Sequence, residues 1–162
     1  FPTIFDLVKP SVAVNLPSYN EPTCFRERLS EAWYRGVDEY AKEVWRIHFE
    51  RINDTLMALK SHGDWKLFLT YFDLADWAGH LYPVKGRLFV LKAYLELNRL
   101  AGFLKRMVED DATVFLIMSD HGYDLKINKH SKYAFWSLNI DVDWAPQDFT
   151  DYYSKILEWI RM

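Results

Sequence analysis

The sequence predicts an α/β domain with a mostly parallel sheet flanked by helices, and three observations lead there. Two short apolar, β-rich runs, Leu67–Phe72 and Thr113–Met118, each stop abruptly at polar residues that include Asp and His, the pattern of a buried strand ending at a sheet edge. Between them, residues 85–109 carry Leu88, Leu91, Ala93, Leu95, Leu97, Leu100, Leu104 and Met107 in a helical pattern. A helix joining two such strands makes a β-α-β crossover, so the strands are expected to run parallel side by side. With 162 residues, half of them hydrophobic, the chain can bury one core, and a single domain over 1–162 is expected.

Taken in order, residues 1–7 read as a helical turn with Pro2 in its first turn, and Ser11–Leu16 as a strand stopped by Pro17. Residues 17–22 are rich in turn formers and should be an exposed loop. From Val37 to Leu59 apolar residues recur at helical spacing with charges between them, an amphipathic helix closed by a Gly63 cap. His48 lies on its apolar stripe and reads as a packed helix residue, not a ligand. Residues 123–132 form a polar loop with Lys126, Lys129 and Lys132, read as solvating charges. Ala134–Leu138 reads as an edge strand, and Phe149–Ile160 as a closing amphipathic helix packing Phe149, Tyr152, Tyr153, Ile156, Leu157 and Ile160.

The two strand ends carry the chemistry. After the first comes Asp73-Leu74-Ala75-Asp76-Trp77-Ala78-Gly79-His80. Asp76 and His80 are four apart, so one helical turn puts both on one face, within reach of one ion. Gly79 leaves room for close approach to a metal or ligand. Asp73 is expected either to orient His80 from outside or to cap the turn. After the second strand comes Ser119-Asp120-His121-Gly122, and His130-Ser131 follows. Carboxylate and imidazole ligate Zn²⁺, Mn²⁺ and Fe²⁺, and Asp76, His80, Asp120, His121 and His130 are enough for more than one ion. Alone, Asp76 and His80 would read as an exposed i,i+4 pair; the second motif reverses that reading.

At these residues the chain resembles the alkaline phosphatase superfamily, especially its type I phosphodiesterase and nucleotide pyrophosphatase branch and the related cofactor-independent phosphoglycerate mutases. The matching pieces are Asp76-Trp77-Ala78-Gly79-His80, Ser119-Asp120-His121-Gly122 and His130-Ser131, in the family's order. The resemblance implies an alkaline phosphatase-like fold and two divalent ions, Zn²⁺, Mn²⁺ or Fe²⁺. One ion would take Asp76, His80 and His130. The other would take Asp120 and His121 together with an earlier Asp and a nucleophilic Ser or Thr that forms a phosphorylated intermediate.

Those last two residues belong to an amino-terminal strand and turn with no counterpart here, so the nucleophile is unassigned. The resemblance covers nearly the whole chain but the carboxyl-terminal part of the family's domain. The chain also opens inside an apolar segment without an initiator Met, so a fragment is expected, completed by a missing amino-terminal segment or another chain. The implied activity is metal-dependent phosphoric ester hydrolysis on a small phosphorylated substrate. The alternatives are a catalytically silent metal-binding or assembly domain, or a mutase-like phosphotransferase. A serine hydrolase built on Ser119 or Ser131 is discounted, because adjacent Ser-Asp-His residues make no triad and no Gly-x-Ser-x-Gly elbow is present.

Composition narrows the partners. A net charge of −3 and a pI near 6.0 argue against bulk nucleic-acid binding. The single Cys24 excludes an internal disulfide and fits a reducing compartment; with no membrane-length apolar run and no signal peptide, a cytoplasmic location is expected. The seven Trp residues are scattered, which reads as core packing, and among them Trp77 alone falls inside a motif.

Overall fold

The computed structural model describes residues 2–108, 110 and 112–161, so the expectations at Phe1, Glu109 and Asp111 fall outside the described residues. Among the described residues there are six helices and three two-stranded sheets, a mixed α/β architecture. The chain divides into two compact units, Phe1–Leu74 with Ile156–Met162, and Ala75–Lys155.

The first unit begins with α1 (Ile4–Leu7), where the Thr3 amide and hydroxyl both donate to the Asp6 carboxylate, 2.7 Å each. Pro2 therefore precedes the cap and lies outside the first turn. Strand β1 (Ser11–Val14) pairs in parallel with β2 (Leu67–Thr70), Ser11 opposite Leu67 and Val14 opposite Thr70. β1 ends at Asn15, whose φ of +56° turns the chain before Pro17 is reached. Asn20 then ties the following loop down, donating to the Ala13 carbonyl at 2.6 Å and accepting from the Leu16 amide at 2.9 Å.

Helix α2 (Thr23–Arg35) has no counterpart in the sequence reading. It runs through Gly36, whose φ of +113° suits glycine, straight into α3 (Val37–Ser61), and the two helices pack together. Arg28 on α2 forks onto α3, donating to Glu43 at 2.7 Å and to both oxygens of Glu50 at 2.6 and 2.7 Å. α3 buries Tyr40, Ala41, Val44, Ile47, His48, Arg51 and Thr55, one face at helical spacing. His48 is fully buried, ringed by Trp45, Phe49 and Phe72, as a packed helix residue should be. The helix closes on His62, which donates to the Ala58 carbonyl, and Gly63 is not the left-handed cap expected.

Arg51 is buried, 1% exposed. Its guanidinium donates to the Asn15 carbonyl at 3.0 Å, to Glu21, and to Asp73 at 2.9 Å, and lies over the rings of Phe25 and Tyr71. These partners come from just beyond the carboxyl ends of β1 and β2. Asp73 is thus a counter-ion of Arg51, a role its sequence position did not announce.

The second unit contains the rest of α4 (Leu74–Lys85), α5 (Arg87–Val108), two antiparallel strand pairs and the start of α6 (Asp151–Arg161). α5 buries Val90, Ala93, Leu100 and Leu104, whereas Leu88, Leu91 and Leu95 of the same apolar pattern stay at least half exposed. Of the residues expected to pack on α6, Tyr152 is buried and Phe149, ahead of the helix, is exposed.

The expected parallel pairing of the two motif strands is overturned. β3 (Leu116–Met118) pairs antiparallel with β6 (Trp136–Leu138), and β2 pairs with β1. The mostly parallel sheet is therefore met only by the β1–β2 pair. Side chains extend the β3–β6 ladder at both ends. Asn139 accepts from the Phe115 amide at 2.7 Å and donates to the Thr113 carbonyl at 2.9 Å, while Ser119 Oγ accepts from the Phe135 amide at 2.8 Å. These contacts favour the downstream segment as the partner of a three-residue strand. The polar loop at 123–132 is itself a hairpin, β4 (Gly122–Asp124) with β5 (Lys129–Ser131).

Candidate metal centre

α4 carries one half of the site, with Asp76 and His80 one turn apart as their spacing predicts. The β4–β5 hairpin carries the other. His130 sits directly opposite Tyr123 in the register, and His121 is two residues before Tyr123, so period-two alternation puts all three on one hairpin face. That alternation, not a shared parallel sheet, is what brings late histidines to Asp76 and His80.

His130 Nε2 lies 3.0 Å from His80 Nε2 and 3.2 Å from Asp76 Oδ1, and His80 Nε2 lies 3.5 Å from Asp76 Oδ1. A tetrahedral ion with bonds of about 2.0–2.1 Å spaces its ligand atoms about 3.4 Å apart. The triangle has that size. Asp76 Oδ1 is also buried without a hydrogen-bond partner, although it is a carboxylate oxygen. A cation among the three atoms removes that unmet demand and the clash of facing lone pairs. The imidazoles of His80 and His130 are 43% and 47% exposed, which leaves one side of the triangle open to water or substrate.

His121 stacks on His130, centroids 4.0 Å apart, and offers a ligand atom within 4.8 Å of those of Asp76 and His130. Asp76–His121–His130 is thus a second way to group the ligands, and Asp76–His80–His130, with sides of 3.0–3.5 Å, is the set whose spacing matches a tetrahedral ion. His121 Nδ1 lies 3.1 Å from the Gly122 carbonyl, which accepts its proton and leaves Nε2 with the lone pair a metal needs. Asp120 faces solvent, 61% exposed, with Oδ1 3.8 Å from His121 Nε2. So all five residues singled out in the sequence are placed, three in contact, His121 beside them and Asp120 beside His121.

The recess at Gly79 is filled by protein. A β-carbon there would lie 2.7 Å from Tyr123 Cγ, so the ring lies flat against the helix backbone. Burial and the nearby Asp76 charge push the Tyr123 phenol above its ordinary value of 10.0, which keeps it protonated. In the sequence Tyr123 reads as a loop aromatic and carries no motif. Its one signal was the Gly79 gap, which needed an occupant. Gly79→Ala should gain up to about 1 kcal/mol in helix propensity and lose about 1–3 kcal/mol to overpacking. The clash is with the ring's root, which cannot swing away, so thermal unfolding should show net destabilisation; a raised midpoint would mean the ring moves freely.

Three hydroxyls that could be considered as nucleophiles, those of Ser119, Thr3 and Thr70, are held in structural hydrogen bonds. Ser119 Oγ serves the strand ladder, Thr3 Oγ1 donates to Asp6 at 2.7 Å, and Thr70 Oγ1 shares a 2.7 Å hydrogen bond with Thr55.

Among comparisons with known proteins, no curated protein and no solved structure matches the chain. A family model described as type I phosphodiesterase / nucleotide pyrophosphatase matches residues 6–144, a span that takes in α4, both antiparallel strand pairs and every residue of the triangle. The match covers most of the chain, and on it the chain belongs to the type I phosphodiesterase / nucleotide pyrophosphatase family.

Proposed function

We propose that the chain serves metal-dependent hydrolysis of phosphoric esters on a small phosphorylated substrate, with Asp76, His80 and His130 holding one divalent ion and Asp120 and His121 contributing to a second. The observation that carries this reading is the triangle of ligand atoms, 3.0–3.5 Å on each side, around a buried carboxylate oxygen. Zn²⁺, Mn²⁺ and Fe²⁺ all suit such ligands. Two ions close together polarise a phosphoryl oxygen and neutralise charge on the attacking and leaving oxygens of an in-line displacement.

This chain's residues would do three things in that scheme. Asp76 supplies the negative charge, the imidazoles of His80 and His130 supply neutral donors through Nε2, and the exposed side of both rings admits the substrate. A cytoplasmic location is part of the proposal, supported by the single, exposed cysteine. None of the described helices is long and apolar enough to cross a membrane.

The engagement of Ser119, Thr3 and Thr70 favours a second reading, a metal-binding or assembly domain without turnover of its own. One experiment separates the two. Dialysed against Zn²⁺ or Mn²⁺, the purified chain is expected to retain at least one ion by elemental analysis, and to hydrolyse bis(p-nitrophenyl) phosphate slowly, the rate vanishing in EDTA. Retained metal without turnover selects the silent domain, and no retained metal removes both readings. Brisk metal-dependent turnover would mean that another hydroxyl of the chain acts as nucleophile.

A further inference from the structure

We propose that Tyr123 and Asn128 form a hydrogen-bonded relay that sets the tautomer of His80, making both positioning residues for the metal centre; this rests on reading His80 as a ligand. Neither belongs to the three short motifs on which the sequence resemblance rests. Three observations support the relay.

Tyr123 is fixed in place. Its ring presses on Gly79 and meets His80 and His130 edge-on, with centroids 5.2 and 5.8 Å away. Its hydroxyl oxygen lies 2.8 Å from Asn128 Oδ1 and 3.5 Å from His80 Nδ1. Asn128 is in turn held at the hairpin turn with φ of +53°, a left-handed conformation that asparagine tolerates better than most residues.

The direction of the protons follows. An amide oxygen can only accept, so the Tyr123 proton points to Asn128. The hydroxyl then offers lone pairs to His80 Nδ1, an arrangement that is attractive only when Nδ1 carries a proton. The lone pair of His80 is thereby placed on Nε2, the atom that faces Asp76 Oδ1 and His130 Nε2. Free neutral histidine favours the opposite tautomer, with the proton on Nε2, so the site needs something to reverse that preference. Metal-bound imidazoles commonly give their other N–H to a carboxylate or carbonyl; here a phenol backed by an amide would take that part. At 3.5 Å the contact is weak, so the relay biases the tautomer and does not lock it.

The test uses the whole chain, metal-free, at a pH where the imidazoles are neutral. Ring ¹⁵N NMR should find His80 protonated on Nδ1 in the unaltered protein. Tyr123→Phe keeps the ring against Gly79 and removes the hydroxyl, so His80 should move toward the Nε2–H form. Zn²⁺ affinity, read by competition with a chromophoric chelator, should fall about 10-fold, the low end for an outer partner of a metal ligand. Asn128→Gly tolerates the turn but removes the acceptor and should act in the same direction, while Asn128→Asp keeps an acceptor and should retain the wild-type tautomer. An unchanged tautomer in Tyr123→Phe overturns the relay, with or without a change in affinity. If the unaltered chain binds no Zn²⁺ yet the tautomer shifts as described, the relay stands and the metal reading fails.

Discussion

His130→Ala is expected to strip the first divalent ion from the protein. His130 is the vertex of the two shortest sides of the triangle, 3.0 Å to His80 and 3.2 Å to Asp76. Without it two ligand atoms remain, and the buried Asp76 oxygen loses the nearer of its two imidazole neighbours. The loss of affinity should exceed the roughly 10–100-fold typical of an outer partner, because a direct ligand is removed. His80→Ala should do the same from the helix side. Both side chains are about half exposed, so neither change should unfold the chain, and circular dichroism checks this. Elemental analysis after dialysis against Zn²⁺ reads the result, and unchanged metal in both variants rejects the site.

Arg51→Met should be the most damaging change to stability, at about 3–5 kcal/mol, the cost of breaking a buried ion pair from one side. The substitution keeps much of the side-chain volume but leaves Asp73, 12% exposed, without this counter-ion and Glu21, 9% exposed, dependent on the more exposed Arg26 at 3.0 Å, and it leaves the Asn15 carbonyl without this donor. Urea unfolding at neutral pH measures the effect. Adding Glu21→Gln and Asp73→Asn to Arg51→Met should recover part of the loss by removing the stranded charges. A cost under about 1 kcal/mol, the size of a surface pair, would show that water reaches both carboxylates.

Much of the site was legible in the chain. The spacing of Asp76 and His80 is a helical repeat, and α4 realises it. The apolar runs ending in Asp and His are strands β2 and β3, somewhat shorter than drawn. The family match at residues 6–144 agrees with the resemblance carried by the three short motifs. The differences have separate causes. Residues 122–131 are two three-residue strands around a turn, too short for their pattern to stand out from a polar loop, whereas α2 does carry the helical signal, in Phe25, Leu29 and Ala32 at i, i+4 and i+7. Leu88, Leu91 and Leu95 fit the helical pattern as well as Val90 and Ala93 do, yet a pattern does not say which face is buried.

By itself the sequence determined which residues carry side chains of a metal-ligating type and which of them share a helical turn, because these depend on residue type and on the fixed geometry of one helix. Tertiary structure alone decided that β3 takes β6 as its partner, that the β4–β5 hairpin brings His130 to Asp76 and His80, and that Tyr123 fills the space at Gly79. Strands of three residues carry too little pattern to choose a neighbour. The choice falls to hydrogen bonds from residues far along the chain, such as Asn139 and Ser119, which acquire partners only once the fold exists.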